Sequence, residues 1–285
     1  MKRDTFFPKG KNNKKIPLSV FVCVLILLIG SAGFAMDPLG SPTTNMEPGQ
    51  FRVGVEYCSS SMDLQLINGK WFEKLYGSFN DSGTAISLVI NDFEQTNTYV
   101  NLGYCIDRNW EIFVRLNRTK AEFGDSLLKL GEKFESDSKP AFGGGIKATL
   151  FERKYLKIGG VVQANMASYS GQLFTPQWQL PHFVETNITE IQIALGANYM
   201  LMDGIWIYGG PVMHWVSGDF SDTYIEEGES GGLLLSEYSW DIEQDSMYGG
   251  YIGSQVEIGK NCYFNIEYQL TGAAGAFGAG IVVGF

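Results

Sequence analysis

Histidine occurs only twice among 285 residues and cysteine only four times. Charge is thin as well. Asp, Glu, Lys and Arg make up 18% of the chain, below the ~25% usual in soluble domains. The shortage falls on the positive side: without residues 1–35, which hold six Lys or Arg and one Asp, 15 basic side chains face 30 acidic ones. Nucleic acids are bound through Lys and Arg on their phosphates, so this balance argues against a nucleic-acid partner. Beyond residue 35 no apolar run reaches the ~18 residues of a spanning helix. The cysteines left there, Cys58, Cys105 and Cys262, are odd in number. Disulfide frameworks pair an even one, so no structural disulfide is expected.

The first 35 residues form a unit of their own. Lys2, Arg3, Lys9, Lys11, Lys14 and Lys15 precede an apolar stretch over 16–29, and Gly33 and Ala35 stand at the −3 and −1 positions of a cut after Ala35. A charged start, a short apolar middle and a small-residue end describe a secretory signal peptide. Cys23 lies inside the apolar stretch with no lipoprotein-type small residue before it, and reads as filler. Residues 36–50, with Pro38, Gly40, Pro42, Pro48 and Gly49, read as an irregular leader on the periplasmic side.

From Phe51 onward the chain alternates with period two, the mark of strands with two unlike faces. In 262–271, Phe264, Ile266, Tyr268 and Leu270 oppose Tyr263, Asn265, Glu267 and Gln269. In 188–200, Ile191, Ile193, Leu195 and Tyr199 oppose Glu190, Gln192 and Asn198. Ten segments follow this rule: 51–59, 96–106, 110–118, 139–150, 155–167, 188–200, 205–217, 246–258, 262–271 and 275–285. The seventh has an ambiguous frame, interrupted by Pro211. Short turns at 107–109, 151–154, 201–204 and 259–261 alternate with long polar connections at 60–95, 119–138, 168–187 and 218–245. The last connection, 272–274, is short. A soluble sandwich has no reason to sort its connections by length, whereas membrane barrels have short periplasmic turns and long outer loops. Phe51, Tyr104, Trp110, Tyr199 and Phe285 fall near the tight-turn ends of the apolar faces, where an aromatic girdle belongs. The fold expected is all-β: a closed antiparallel transmembrane β-barrel over 51–285, of ten strands with eight or twelve as alternatives. It belongs in the outer membrane of a Gram-negative-type bacterium, in contact with membrane lipids and lipopolysaccharide.

Two stretches carry a family resemblance. The segment AFGAGIVVGF puts Phe277, Ala279, Ile281, Val283 and the final Phe285 on one face. It resembles the C-terminal assembly signal of bacterial outer-membrane proteins. The stretch YVNLGYCIDRNWEIFVRL at 99–116 is similar to a hairpin of OmpA-type small barrels. The resemblance spans roughly residues 50–285 and implies recognition by the outer-membrane barrel assembly machinery and periplasmic chaperones. A peptidoglycan-binding role is not carried over from it, since no such domain is read after the barrel segments.

Candidate chemistry is sparse, and no cofactor or metal is implied. His214, near the outer end of the seventh strand, is followed by Asp219 and Asp222, while His182 lies in the third long connection. Omptin proteases are ten-stranded and use acidic residues and a His at the outer rim, but their paired-Asp motif is not matched here. The plainer reading is a rim histidine among solvated acids. The connection 218–245 carries nine acidic side chains and no Lys or Arg. It has no spaced calcium-loop pattern and reads as solvated. On the polar, inward face stand Arg52, Glu56, Glu111, Arg115, Lys147, Lys157, Glu190, Glu257 and Glu267, the one charge on the apolar face being Arg118. They line either a mutually paired, filled lumen or a narrow channel. Inward Gly54, Gly143, Gly145, Gly159, Gly253 and Gly280 leave room, but small barrels are usually filled by their own side chains. The function expected is therefore a non-enzymatic surface or structural barrel, with a narrow passive channel as alternative and a rim-site hydrolase third. A closed hydrogen-bonded barrel resists detergent unfolding. The chain should accordingly extract with outer membranes and migrate differently on gels when boiled and unboiled; recovery as a soluble periplasmic protein would remove the barrel.

Overall fold

The computed structural model describes residues 36–75, 79–124, 133–174, 182–227, 233–244 and 247–285. The signal-peptide reading of 1–35 and the tips of four long connections lie outside them. Thirteen strands occur among the described residues. In chain order they are β1 Phe51–Leu75, β2 Phe79–Thr84, β3 Leu88–Cys105, β4 Trp110–Gly124, β5 Lys133–Ser136, β6 Lys139–Arg153 and β7 Leu156–Phe174. There follow β8 His182–Met202, β9 Ile205–Glu227, β10 Leu233–Gln244, β11 Tyr248–Gly259, β12 Cys262–Thr271 and β13 Ala274–Gly284.

Ten of them close a ring of antiparallel neighbours in the order β1, β3, β4, β6, β7, β8, β9, β11, β12, β13 and back to β1. These are the ten segments that the period-two pattern marks. Closure is sealed where Phe51 and Phe285 exchange backbone hydrogen bonds of 3.3 and 2.8 Å. The tight turns have local causes. The Asp107 carboxylate accepts the N–H groups of Asn109 and Trp110 at 2.7 and 2.9 Å, an Asx-type turn. Gly204 and Asn261 take the left-handed backbone that Gly and Asn adopt most readily.

Faces follow the pleat. Val55, Val100, Leu102, Ile112, Val114, Leu116, Val162, Ile191, Ile193 and Leu195 stand exposed on the outside of the ring, a contiguous apolar belt far beyond what a soluble monomer tolerates. In lipid this belt is the favourable surface, and closure leaves no free sheet edge. Among the described residues no helix is long and apolar enough to cross a membrane; the strands do the crossing. Phe51, Trp110, Tyr199 and Phe285 are exposed at the tight-turn end, with Tyr104 packed on Phe51 at 4.7 Å. The ambiguous β9 takes the frame that turns Tyr208, Val212, His214 and Val216 inward. Its ladder to β8 skips Gly210 and Pro211, as a residue without an N–H requires.

The long connections differ from expectation. They are largely strand rather than polar loop: β1, β3, β4, β7, β8 and β9 run far past the ring. Together with β5 and β10 they close a second, eight-stranded circuit at this extended end. The physical reason is an inversion of faces. Inside the extension sit Leu64, Leu66, Ile90, Phe93, Phe123, Phe134, Leu173, Val184, Phe220, Trp240 and Ile242, all buried in one apolar cluster. Their outward neighbours, such as Ser168, Glu185, Asn187, Asp219 and Asp241, are exposed. Apolar-out changes to apolar-in along the same strand, because lipid gives way to water.

A charge on the belt should therefore be costly. Ile193→Arg is expected to lose about 2–4 kcal/mol, as for Arg near a bilayer midplane, in folding titrations into lipid vesicles. A loss within error of zero would mean that Ile193 does not face lipid. The neighbouring Gln192 is no mild comparison site: it is buried and bonded to Gln163 and Gln269.

Candidate functional site: the occupied lumen

The inward charges do not meet an open channel. Residues 36–46 run up the inside of the ring from the tight-turn end, which corrects their expected place beneath the barrel. The wall binds this leader chiefly through its backbone. Gln269 Nε2 and Gln163 Nε2 donate to the Asp37 carbonyl at 2.8 and 3.3 Å, and Arg115 Nη2 donates to the Pro38 carbonyl at 2.5 Å. Lys147 Nζ reaches the carbonyls of Leu39 and Ser41 at 2.8 and 3.0 Å. In the other direction, the Leu39 N–H donates to Glu267 Oε1 at 2.7 Å. Asn198 Nδ2 donates to Ser41 Oγ at 2.8 Å, the Thr44 N–H to Thr149 Oγ1 at 3.1 Å, and Asn45 Nδ2 to Gln255 Oε1 at 2.9 Å. Irregular backbone at membrane depth is tolerated only where protein or water satisfies it, and here side chains of β4, β6, β7 and β12 do so.

The remaining charges pair among themselves. Arg52 bridges to Glu111, Arg115 lies 3.8 Å from Glu56, and His214 Nε2 lies 3.1 Å from Glu190 Oε2. The Arg115 guanidinium also sits over the rings of Phe113 and Tyr99 at 5.0 and 5.5 Å, a cation–π arrangement. Glu56, Glu111, Arg115, Lys147, Glu190 and Glu267 are buried inside, while Arg52 is partly exposed. Lys157 is half-buried at the tight-turn rim, bonded to Glu152 and to the Thr44 carbonyl, and Glu257 is exposed at the same rim. Along β13, Ile281 is exposed and Phe277 and Val283 are half-buried on the outward face, and Phe285 just after it is exposed.

The inward glycines are not vacancies. A Cβ on Gly159 would come 2.5 Å from the Pro42 carbonyl oxygen, and one on Gly278 would come 2.4 Å from Pro38 Cγ. Gly196 and Gly253 make the same allowance for Tyr251 and Tyr208. A cavity of about 40 Å³ remains between leader and wall, bordered by Arg52, Glu56, Arg115, Lys147 and Tyr263, room for a few waters. Above the leader, Met36 enters the apolar cluster of the extended half.

The two histidines are placed otherwise than expected. His214 is fully buried in the lumen rather than at the rim, since it occupies an inward position of β9. It is His182, at the extended end, that meets Asp222: its Nδ1 lies 3.0 Å from that carboxylate, with the Tyr224 ring tilted beside it at 4.7 Å, whereas the acid at His214 is Glu190. Asp219 projects from the opposite face of β9 and accepts from Asn187 at 2.8 Å. Of the acids of 218–245, Asp219, Glu237, Asp241 and Glu243 are exposed on the outward face and Asp222 stands on the other, and among the described residues no group of three or more His, Cys, Asp or Glu could hold a metal ion. Glu229 and Asp245 lie outside the described residues. The thiols of Cys58, Cys105 and Cys262 are free; Cys58 donates to the Met36 carbonyl at 3.2 Å.

A closed antiparallel ring with an apolar outside and a polar, filled inside defines the class: a transmembrane β-barrel of the outer-membrane type. No family model matches the sequence, and no curated protein matches it. Among solved structures the chain is similar to the outer membrane protease OmpT of Escherichia coli, at 12% identity over 85% of this chain and 99% of that one, TM-score 0.45. It is similar to the translocator domain of autotransporter NalP from Neisseria meningitidis, at 12% identity over 85% and 89%, TM-score 0.42. A third is Ail, the attachment invasion locus protein of Yersinia pestis, at 11% identity over 84% and 100%, TM-score 0.30. All three are outer-membrane barrels of different roles. The narrower OmpA-type likeness rests on the 99–116 hairpin alone.

Lys147 holds the leader at two of its carbonyls. Lys147→Met should leave the Leu39 and Ser41 carbonyls buried without their donor, at about 1–3 kcal/mol each. The temperature at which the folded gel band converts to the unfolded one should fall accordingly. An unchanged conversion temperature would mean that these bonds do not hold the leader.

Proposed function

We propose that this protein is a non-conducting, non-catalytic barrel of the outer membrane that presents its extended end to the outside, in a structural or surface-contact role. The observation that carries this reading is the filling of the lumen by two different means. The polar leader occupies the tight-turn half, and the apolar cluster from Met62 to Ile242 occupies the extended half. Eight strands enclose an interior that side chains can fill, whereas open aqueous channels belong to much wider barrels. Withdrawal of the leader alone would still leave the apolar half closed, which disfavours the channel alternative.

The absence of catalysis is part of the same proposal. A rim hydrolase needs a histidine and an opposed carboxylate pair on one open face. His214 is enclosed with Glu190, and Asp219 and Asp222 diverge. What the extension offers instead is a stiff, water-facing double ladder with exposed acids at Asp219, Glu237, Asp241 and Glu243. Export by a signal peptide cut near Ala35, and assembly through the outward face of β13, belong to this reading too.

Planar-bilayer recording on refolded protein decides between barrel and channel. The expected trace is flat, without discrete steps, for protein whose gel shift shows it folded. Reproducible steps of uniform size would establish the channel instead.

A further inference from the structure

Where the leader meets the apolar cluster, a small cavity of about 10 Å³ lies beside Asp37. Its polar walls are Asp37 of the leader, Asn97 of β3, Asn117 of β4, and the register partners Asn165 of β7 and Glu190 of β8. Between Asn117 and Asn165, the intervening strand β6 presents only Ala141 and Gly143. A Cβ on Gly143 would come 1.8 Å from Asn165 Oδ1, so the glycine is what lets that amide lean across β6. Tyr169 and Ile188 supply an apolar side.

The hydrogen bonds around this cavity leave a one-sided remainder. Glu190 is met by His214 Nε2 at 3.1 Å and by Gln95 Nε2 at 3.3 Å. Asp37 Oδ1 accepts from Asn97 Nδ2 at 3.3 Å, and Arg115 attracts the same carboxylate, which Glu190 repels. Among the described residues, Asn97 Oδ1, Asn117 Oδ1 and Asn165 Oδ1 have no partner, although Asn97 is 3% and Asn165 7% exposed. Of the donors on the cavity-lining side chains, only Asn165 Nδ2 is left over in the same way. Buried polar atoms without a partner call for an explanation. The larger cavity near the tight turns has a simple one. There, unpartnered Arg115 N–H groups stand beside unpartnered oxygens of Glu56, Asn101 and Asn265, a mixture that bridging waters satisfy. The smaller cavity has room for about one water, which brings two hydrogens to three amide oxygens. Carboxylate and amide oxygens gathered around one small space are instead the ligands that calcium takes. The site draws most of its oxygens from amides, unlike the three-acid groups that the described residues lack.

We propose that this cavity binds one calcium ion, held by the carboxylates of Asp37 and Glu190 and by the amide oxygens of Asn97, Asn117 and Asn165. Asp37 belongs to the leader and the other four to the wall, so the ion staples the one to the other. Magnesium keeps several waters in an octahedral shell, for which there is no room. This goes beyond the surface-contact reading and does not depend on it, since its readouts involve neither conductance nor surface binding.

The test starts from protein extracted from outer membranes, unfolded in urea with a chelator, and refolded in detergent free of metal and lipopolysaccharide. In equilibrium dialysis the folded chain should retain one calcium ion. Calcium should also raise the temperature at which the folded gel band converts, whereas magnesium, or sodium at equal ionic strength, should not. Asp37→Asn keeps an oxygen and loses the charge; it should weaken calcium binding at least about tenfold, because ligand charge tunes the affinity. Asn117→Leu removes one unserved oxygen. Without calcium this variant should convert no lower than the unsubstituted chain, and with calcium it should gain less. A purely structural Asn117 would instead lower the calcium-free conversion temperature and leave the gain intact, which would overturn its place in the site. The proposal as a whole fails if the folded chain retains no calcium, or if magnesium or sodium gives an equal rise. It fails too if Asp37→Asn retains calcium undiminished, since the ion would then sit on the exposed acids of the extension.

Discussion

Every feature of this structure depends on one constraint: hydrocarbon offers no hydrogen bonds to backbone. A sheet placed there must close, and the ring closes where Phe51 and Phe285 bond to each other across the seam between β1 and β13. Closure in turn creates an inside, and the inside must be filled or wetted. The rows of outward Val, Ile and Leu are the simple half of the solution. The harder half is an interior that carries buried carboxylates, guanidinium and ammonium groups without bulk water.

Two answers are used at two levels. Where the ring has ten strands, it is too wide for its glycine-rich wall to fill. The leader enters as a polar core whose carbonyls take the hydrogen bonds of Gln163, Gln269, Arg115 and Lys147. Where the sheet narrows to eight strands beyond the lipid, aromatic side chains suffice: Phe93, Phe123 and Tyr169 pack at 5.7 to 6.0 Å, and Phe123 stacks on Phe134 at 4.9 Å. The extension is in effect a water-soluble barrel built on a membrane one, with the faces exchanged.

That exchange explains which parts of the fold were legible in advance. Within the belt, alternation such as Ile191-Gln192-Ile193 reports lipid on one side and a polar interior on the other, and nine of the ten ring strands can be read residue by residue, β9 with its Pro211 being the exception. At β9 the same strand passes from Ile207 facing out to Phe220 facing in. A pattern that reverses midway looks like a polar loop interrupted by stray hydrophobes. The inward charges were legible for the same reason as the belt; what they touch was not. Lys147 meets Leu39 and Ser41 from 108 and 106 residues away, and Glu267 meets Leu39 from 228.

The sequence by itself determined that the chain forms ten amphipathic strands, which side of nine of them faces lipid, and where the short turns fall. Each of these follows from residues within a few positions of one another. Only the tertiary structure decided that the lumen is full, that His214 is enclosed while His182 meets Asp222, and that residues 36–46 are a core rather than a tail. The leader has no periodicity because it belongs to no ladder. Its conformation is set by side chains of strands that come together only once the ring has closed, and no local pattern encodes a partner supplied by closure.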